Sequence, residues 1–473
     1  VDWNRSSLWT RRRWLGVGLG TGLGLTLSTW PREVAGVAQA KDRPPGFGRA
    51  KSVILVYANG GQSQLETWDP KPDAPREIRG EFAAIPTAVP GVRFTEHLPR
   101  LASLADRFTV IRSVSHDDLD HGSATYLALT GRHHPRKSSN PPPGPNDIPT
   151  LGAALRRVRP ATNVPYTAVH VNAPALVPEL PAPGQDGGVL GREYEPLRVG
   201  DLTGDPAALP SLSLPADVSL ARLGSRRALL TTIDGARGRL ADDSALSEMD
   251  GLYGSAYRLL ETPQCREAFD LSAEPRAVQE RYGRHRAGLA CLLARRLAQA
   301  EVPLITVIWN HSARGQDKTP DDPDSLGWDT HNDLFEVMGR HLLPRFDQTF
   351  SALLEDLERT GLLDQTLVVC MGEFGRAPRV AVEPRFAGQA PGRKHWANVY
   401  SIVMAGAGVA RGAVFGASDA IAAYPTADRV GPWDVAATIV SALGVDPALE
   451  YRDAVGRVFP LTVGKPIVDL YSG

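Results

Sequence analysis

The sequence predicts an α/β fold with a mostly parallel central sheet and helices on both faces. Two observations carry that expectation. Five short runs, Val53 to Ala58, Phe108 to Arg112, Leu304 to Trp309, Thr366 to Met371 and Tyr400 to Ala405, are largely continuous in apolar character, as strands buried on both faces require. Segments of helical pattern separate them, and strands alternating with helices favour parallel pairing through crossover connections.

Taken in order, the first run ends at Asn59-Gly60-Gly61-Gln62-Ser63, where two glycines let the backbone turn sharply or approach a ligand. A Pro-rich loop follows Asp69, and Leu98 to Ala105 reads as a short helix. The second run opens onto Ser115 to Arg132, which crowds His116, Asp117, Asp118, Asp120 and His121 where a strand hands over to a helix. Unpaired N–H groups at such a helix start attract anions, so the place suits a phosphate, sulfate or carboxylate. Gly131 closes that helix as a C′ residue. Arg132 to Asp147 reads as an exposed loop, Thr150 as the cap of a helix through Arg157, and Thr167 to Val171 as a further strand. Asn172 to Pro215, rich in Pro, Gly and Asp, reads as an irregular surface excursion, and Ser225 to Gln299 as mostly amphipathic helix. Beyond the third run, Asn332 or Asp333 can cap a long helix to about Thr360, with a kink at Pro344. Trp433 to Leu443 is the closing helix.

Composition narrows the function classes. The chain has 52 basic and 53 acidic residues, so no global electrostatic case exists for nucleic acid. Its three cysteines, Cys265, Cys291 and Cys370, are too few and too scattered for a disulfide framework or a Cys-x-x-Cys metal pattern. At the N-terminus, Thr10-Arg11-Arg12-Arg13-Trp14-Leu15 resembles a twin-arginine export signal. The Gly-rich apolar run from Gly16 to Thr29 is short for a membrane span, which needs about 20 apolar residues. Ala38-Gln39-Ala40 offers a cleavage site. The expected organisation is a signal peptide at 1–40, a linker at 41–50 and one domain at 51–473. The domain is expected in the periplasm or outside the cell, delivered by the twin-arginine export machinery, with no stable membrane span after cleavage.

The residues that carry chemistry stand at strand ends, where ligands bind in open α/β sheets. Imidazoles His121, His331 and His395 with carboxylates Asp120, Asp329 and Glu373 would form a mixed N/O sphere, suited to Zn²⁺, Mn²⁺ or Fe more than to Ca²⁺ or Mg²⁺. Asp329 and His331 form the best metal pair, with a cap and turn as the plainer reading. His121 can be a ligand or acid/base group, a helix cap, or a nucleophile. Arg376 can hold an anionic group or make a surface salt bridge.

Asn59-Gly60-Gly61, Asp120-His121-Gly122-Ser123, Trp328-Asp329-Thr330-His331, Gly372-Glu373-Phe374-Gly375-Arg376 and Lys394-His395-Trp396 occur in this order. Together they resemble an exported family, the domain of unknown function numbered fifteen hundred and one, which is similar to the alkaline phosphatase and sulfatase superfamily. The resemblance implies an alkaline-phosphatase-like fold from about Lys51 to Leu470. It places His121 where sulfatases carry a cysteine or serine nucleophile, and Asn59 where the first strand usually ends in a metal-binding aspartate. Glu373-Phe374 stands for an Asp-His pair, Asp329 and His331 for a metal pair at shorter spacing, and His395 for the final metal histidine. The implied roles are catalytic for His121, Asp120 and Glu373, and metal-binding for Asp329, His331, His395, Glu373, His121 and Asp120. Arg376, Asn59, Ser123 and Lys394 would contact substrate. The implied activity is metal-dependent hydrolysis of a phosphate or sulfate ester on a small molecule or glycan, by a metal-bound water, with Ser123 and Thr125 as fallback nucleophiles. The rival readings are an inactive binding or scaffold protein and a metal-dependent mutase or lyase.

Overall fold

The computed structural model describes residues 43–177, 179–204, 263–310 and 317–471, together with 314, 315 and a few positions between 221 and 229. The expected signal peptide, the first positions of the linker and much of the expected helix after Ser225 lie outside the described residues. Among the described residues, no helix is long and apolar enough to cross a membrane.

Eight strands form the central sheet: β1 (Ser52–Tyr57), β2 (Thr109–Val114), β3 (Ala168–Val171), β4 (Leu197–Val199), β5 (Leu304–Ile308), β6 (Thr366–Met371), β7 (Tyr400–Ala405) and β8 (Ala413–Phe415). Their spatial order is β8-β2-β7-β6-β1-β5-β3-β4. β1 is central, pairing in parallel with β5 (Val53 opposite Leu304) and β6 (Ser52 opposite Thr366). β3 lies parallel to both β5 and β4, and β8 parallel to β2. Only β7 runs against its neighbours, antiparallel to β2 and β6. All five apolar runs therefore lie in one sheet, as expected.

Every residue of β1, β6 and β7 is buried, which explains why these runs do not alternate. Ile54 and Val56 join one core with Leu293 of α3 (Arg286–Gln299) and Phe350 and Leu353 of α4 (Leu343–Arg359). Val53, Leu55 and Tyr57 join the opposite core with Leu129 of α1 (His121–Thr130), Leu155 of α2 (Leu151–Val158) and Ile439 of α5 (Pro432–Ala442). Successive side chains thus feed two helical layers, the arrangement a mostly parallel sheet needs. The described residues from Pro44 onward belong to one structural unit.

One expectation is corrected here, and another takes a specific form. The stretch from Asn172 is not wholly irregular: Leu197–Val199 joins the sheet edge as β4. Ala413–Phe415 likewise adds the other edge, β8. Three-residue edge strands carry too few side chains to show a period. The Pro344 kink takes a specific form, a π-helical turn over Met338–Leu342 between Leu334–Val337 and α4. Proline lacks the N–H for the regular ladder, and a wider turn absorbs the lost bond.

His170 on β3 is buried, and neither ring nitrogen has a partner among the described residues. Burial, with Arg198 nearby, pushes its pKa down to about 3. Above the ordinary value near 6.5 the ring is neutral in both folded and unfolded chains, so it has no effect on stability there. As pH falls from 6.5 towards 3, only the unfolded chain takes up the proton, and stability falls by up to about 1.4 kcal/mol per pH unit from this residue. His170→Leu should therefore lose less stability than the parent between pH 6 and pH 4, measured by urea unfolding at each pH. An equal loss in both proteins would contradict this account.

Candidate metal centre

The carboxyl ends of the parallel strands gather the chemistry. β1 runs into Asn59–Gly61, β2 into His116–His121, the segment after β5 into Asp329–His331, and β6 into Glu373. His395 arrives from the other direction. It lies before β7, and because β7 is antiparallel its start stands at the same edge as its neighbours' ends. A two-residue ladder then pairs His395 with Arg376 and Trp396 with Gly375.

At the centre is one oxygen, Asp329 Oδ1. It lies 3.1 Å from His121 Nε2, 2.8 Å from His331 Nε2, 3.1 Å from His395 Nε2 and 2.8 Å from Arg376 Nη2. His331 Nε2 and His395 Nε2 are 3.0 Å apart. One donor atom from each of His121, Asp329 and His395 falls within 4.8 Å of the others, close enough for a shared cation.

The ring orientations follow from what the opposite nitrogens meet. His121 Nδ1 is 2.6 Å from Glu373 Oε1, and His395 Nδ1 is 2.7 Å from the Leu119 carbonyl oxygen. Both contacts hold a proton on Nδ1 and turn the Nε2 lone pair inward, the usual support of a metal-ligating histidine. The His331 ring is stacked on Phe386, with centroids 3.6 Å apart and planes at 9°. His121 Nε2 is buried and, despite its distance to Asp329, has no aligned hydrogen-bond partner among the described residues. Two inward imidazoles and a carboxylate form the cation group and fit a divalent cation of the nitrogen-preferring kind, with His331 Nε2 beside Asp329 but outside that group.

Burial opposes a charge on His121, but Asp329 and Glu373 outweigh it and raise its pKa to about 9. Burial lowers His395 to about 3, helped by the neighbouring His121 charge. Asp329 is buried too, yet the His121 and Arg376 charges hold its carboxyl well below the usual range.

Several expected site residues take other places. Glu373 stands on the outer side of His121, accepting from the Gly60 N–H at 2.9 Å and the Tyr57 hydroxyl at 3.0 Å. It supports the ring from outside the three-residue cation group. Asp120 occupies the N-cap position of α1 without a side-chain capping bond, and its carboxylate is not in the cation group. Arg376 is fully buried, donating to the carbonyls of Gly61 at 3.0 Å and Trp328 at 3.1 Å, to that of Gly60, and to Asp329. Its guanidinium is committed to holding backbone and Asp329. Asn59 Nδ2 donates to the Leu176 and Asn310 carbonyls, both at 3.3 Å, tying neighbouring segments together. Lys394 points to solvent and meets Glu383 at 3.1 Å.

The helix start also differs from expectation. The Gly122 N–H donates to Asn140 Oδ1 at 2.7 Å and the Ser123 N–H to the Ser139 carbonyl at 3.0 Å. Ser123 Oγ donates to Asp118 Oδ1 at 2.7 Å and accepts from the Ser139 N–H at 3.2 Å. The loop expected to be merely exposed therefore occupies the N–H groups that could have bound an anion. A side chain on Gly122 would meet the Asn140 backbone at 2.7 Å, which accounts for the glycine. Ser123 is fully buried and its hydroxyl is engaged on both sides, by Asp118 and by the Ser139 N–H. His116 is buried as well, receiving the Asp118 N–H on Nδ1 at 3.1 Å and contacting the Glu373 carbonyl through Nε2 at 2.6 Å. The sequence did not single out Tyr57, whose hydroxyl bridges Glu373 and Thr125 Oγ1, the latter at 2.8 Å. A tyrosine closing an apolar strand carries no local signal of that role.

Strand order and site together define an α/β protein with a candidate His/Asp metal centre at the carboxyl edge of a mostly parallel sheet. The chain belongs to the family described as Protein of unknown function (DUF1501), whose model matches residues 50–470. No curated protein matches it. Among solved structures it is similar to the phosphonate monoester hydrolase SpPMH from Silicibacter pomeroyi, at 14% identity over 89% of this chain and 77% of that one, TM-score 0.38. It is similar to the lipoteichoic acid synthase LtaP from Listeria monocytogenes, at 12% identity over 85% and 74%, TM-score 0.34. A protein in the alkaline phosphatase superfamily from Vibrio parahaemolyticus is also similar, at 10% identity over 85% and 69%, TM-score 0.38.

Proposed function

We propose that this protein is a metal-dependent hydrolase of phosphate or sulfate esters, acting on a small-molecule or glycan ester. The observation that carries the reading is the convergence of three imidazole Nε2 atoms on Asp329 Oδ1, with Nδ1 of His121 and His395 already engaged. A divalent cation bound there would polarise an ester oxygen and lower the pKa of a water molecule. Exchanging the His121 proton for a dication adds one positive charge to the cluster, which favours an anionic substrate. Glu373 keeps the His121 ring turned inward, and Arg376 holds Asp329 against the Gly60–Gly61 turn.

The chain's own residues also limit the mechanism. With His121 at the helix start, Ser123 sealed against Asp118 and Thr125 buried against the Tyr57 hydroxyl, the proposed route uses no hydroxyl or thiol nucleophile and so no covalent intermediate. Ser123→Ala should leave turnover within a few-fold of the parent, whereas His121→Ala should remove both cation and turnover. Cation content by mass spectrometry and hydrolysis of aryl phosphate and aryl sulfate in labelled water check this. A trapped side-chain adduct would make a covalent route the better account. A full complement of cation with no turnover of either ester would favour a binding protein instead.

The anatomy of residues 1–40 supports delivery through the twin-arginine route. Lysine at both Arg11 and Arg12 should keep the precursor in the cytoplasm, as read by fractionation.

A further inference from the structure

We propose that the buried Glu66–Arg393 pair is the positioning element of the metal centre, setting where His395 stands relative to Asp329; this rests on the metal-centre reading above. Both side chains are essentially without solvent exposure. Arg393 Nε donates to Glu66 Oε2 at 2.9 Å and Nη2 donates to Oε1 at 2.7 Å, a two-point contact. Nη2 also reaches the Ile78 carbonyl at 2.7 Å, and Nη1 the carbonyls of Ala377 and Pro378. Ser63 Oγ completes the set on Glu66 Oε2 at 2.5 Å.

The guanidinium is therefore fastened in its plane, and one of its attachments, Ala377, adjoins a residue of the site. Ala377 follows Arg376, which binds Asp329. The Arg393 backbone N–H donates to the His331 carbonyl at 3.2 Å. His395, two residues on, is paired with Arg376 in the short ladder. One side chain thus ties the strand of His395 to the segments that carry Arg376 and Glu66, while its backbone meets His331.

A buried ion pair is a poor source of stability, because desolvation offsets most of the attraction and apolar residues of similar volume do as well. What an apolar pair lacks is direction. A forked guanidinium fixes the angle and distance of what it holds, and metal affinity depends on such supporting geometry.

Glu66→Gln keeps the shape and removes the charge. Zn²⁺ affinity is read by competition with a chromophoric chelator, and the His395 ring by long-range ¹H–¹⁵N spectra of the metal-free protein. The expected result is Zn²⁺ binding weakened roughly 10–100-fold at unchanged stoichiometry, with the His395 Nδ1–H tautomer replaced by an averaged one. Ser63→Ala should act in the same direction and less strongly, and decides the matter if Glu66→Gln does not fold. A lowered unfolding midpoint with parental Zn²⁺ affinity and a parental His395 spectrum would overturn the proposal. If the parent itself binds no Zn²⁺, the metal-centre reading falls and the spectra alone decide: unchanged His395 signals in the variants overturn the positioning role.

Discussion

Asp329→Asn should abolish cation binding at the candidate metal centre. In the native cluster a single oxygen faces three imidazole nitrogens and the Arg376 guanidinium. An amide in its place is nearly isosteric but carries no charge, so it neither neutralises a cation nor balances Arg376. Loss of cation affinity should exceed the roughly 10–100-fold that follows from removing a supporting partner alone. Titration with Zn²⁺ and elemental analysis measure it, and the hydrolytic activity proposed above should disappear in parallel. Stability should suffer too, since Arg376 is fully buried and would lose its only carboxylate partner among the described residues. Removing one member of a buried charge pair costs about 3–5 kcal/mol. A variant that retains the parental cation content would refute the assignment of Asp329.

The largest effect expected away from the ligands is that of Phe346→Ala. Phe346 is fully buried, with its ring edge-on to Trp309 at 5.1 Å, Trp328 at 5.5 Å and Trp68 at 5.8 Å, and stacked on Phe350 at 5.3 Å. Truncating a buried phenylalanine costs about 3–5 kcal/mol, more where neighbours cannot collapse into the space. Collapse is hindered here because the three indoles come from three different segments and all three are fully or nearly fully buried. Urea unfolding at neutral pH should therefore show a loss near the upper part of that range. Phe346→Leu, which leaves a smaller void, should lose less. Since Trp328 immediately precedes Asp329, the alanine variant should also bind cation more weakly. A loss below about 1 kcal/mol would mean that the aromatic cluster repacks freely, contrary to a close-packed core.

Much of the fold was legible because its signals are local. A run such as Val53 to Ala58 is apolar at every position only if both faces of its sheet are covered, and the structure covers both. Gly131 marks a left-handed helix end by its own lack of a side chain, at φ 70°. The edge strands Leu197–Val199 and Ala413–Phe415 were not legible, since three residues carry no period. At the site, the kinds of donor were readable and their roles were not. Lys394 looked like a substrate contact and is solvent-facing, whereas Arg393 beside it is buried against Glu66. Nothing local distinguishes the two cations; what does is a carboxylate far back in the chain.

By itself the sequence determined the five apolar strands, several of the helices, and the pool of imidazoles and carboxylates brought to one edge of the sheet. Tertiary structure decided which nitrogen of each ring faces inward, that Glu373 supports His121 from outside, and that Ser139 and Asn140 close the helix start. It also decided that antiparallel β7 delivers His395 to the edge where the parallel strands end. The division has a physical cause. Strand and helix signals arise from neighbours along the chain, whereas hydrogen-bond direction and desolvation depend on groups up to hundreds of residues apart, placed only when the sheet has assembled.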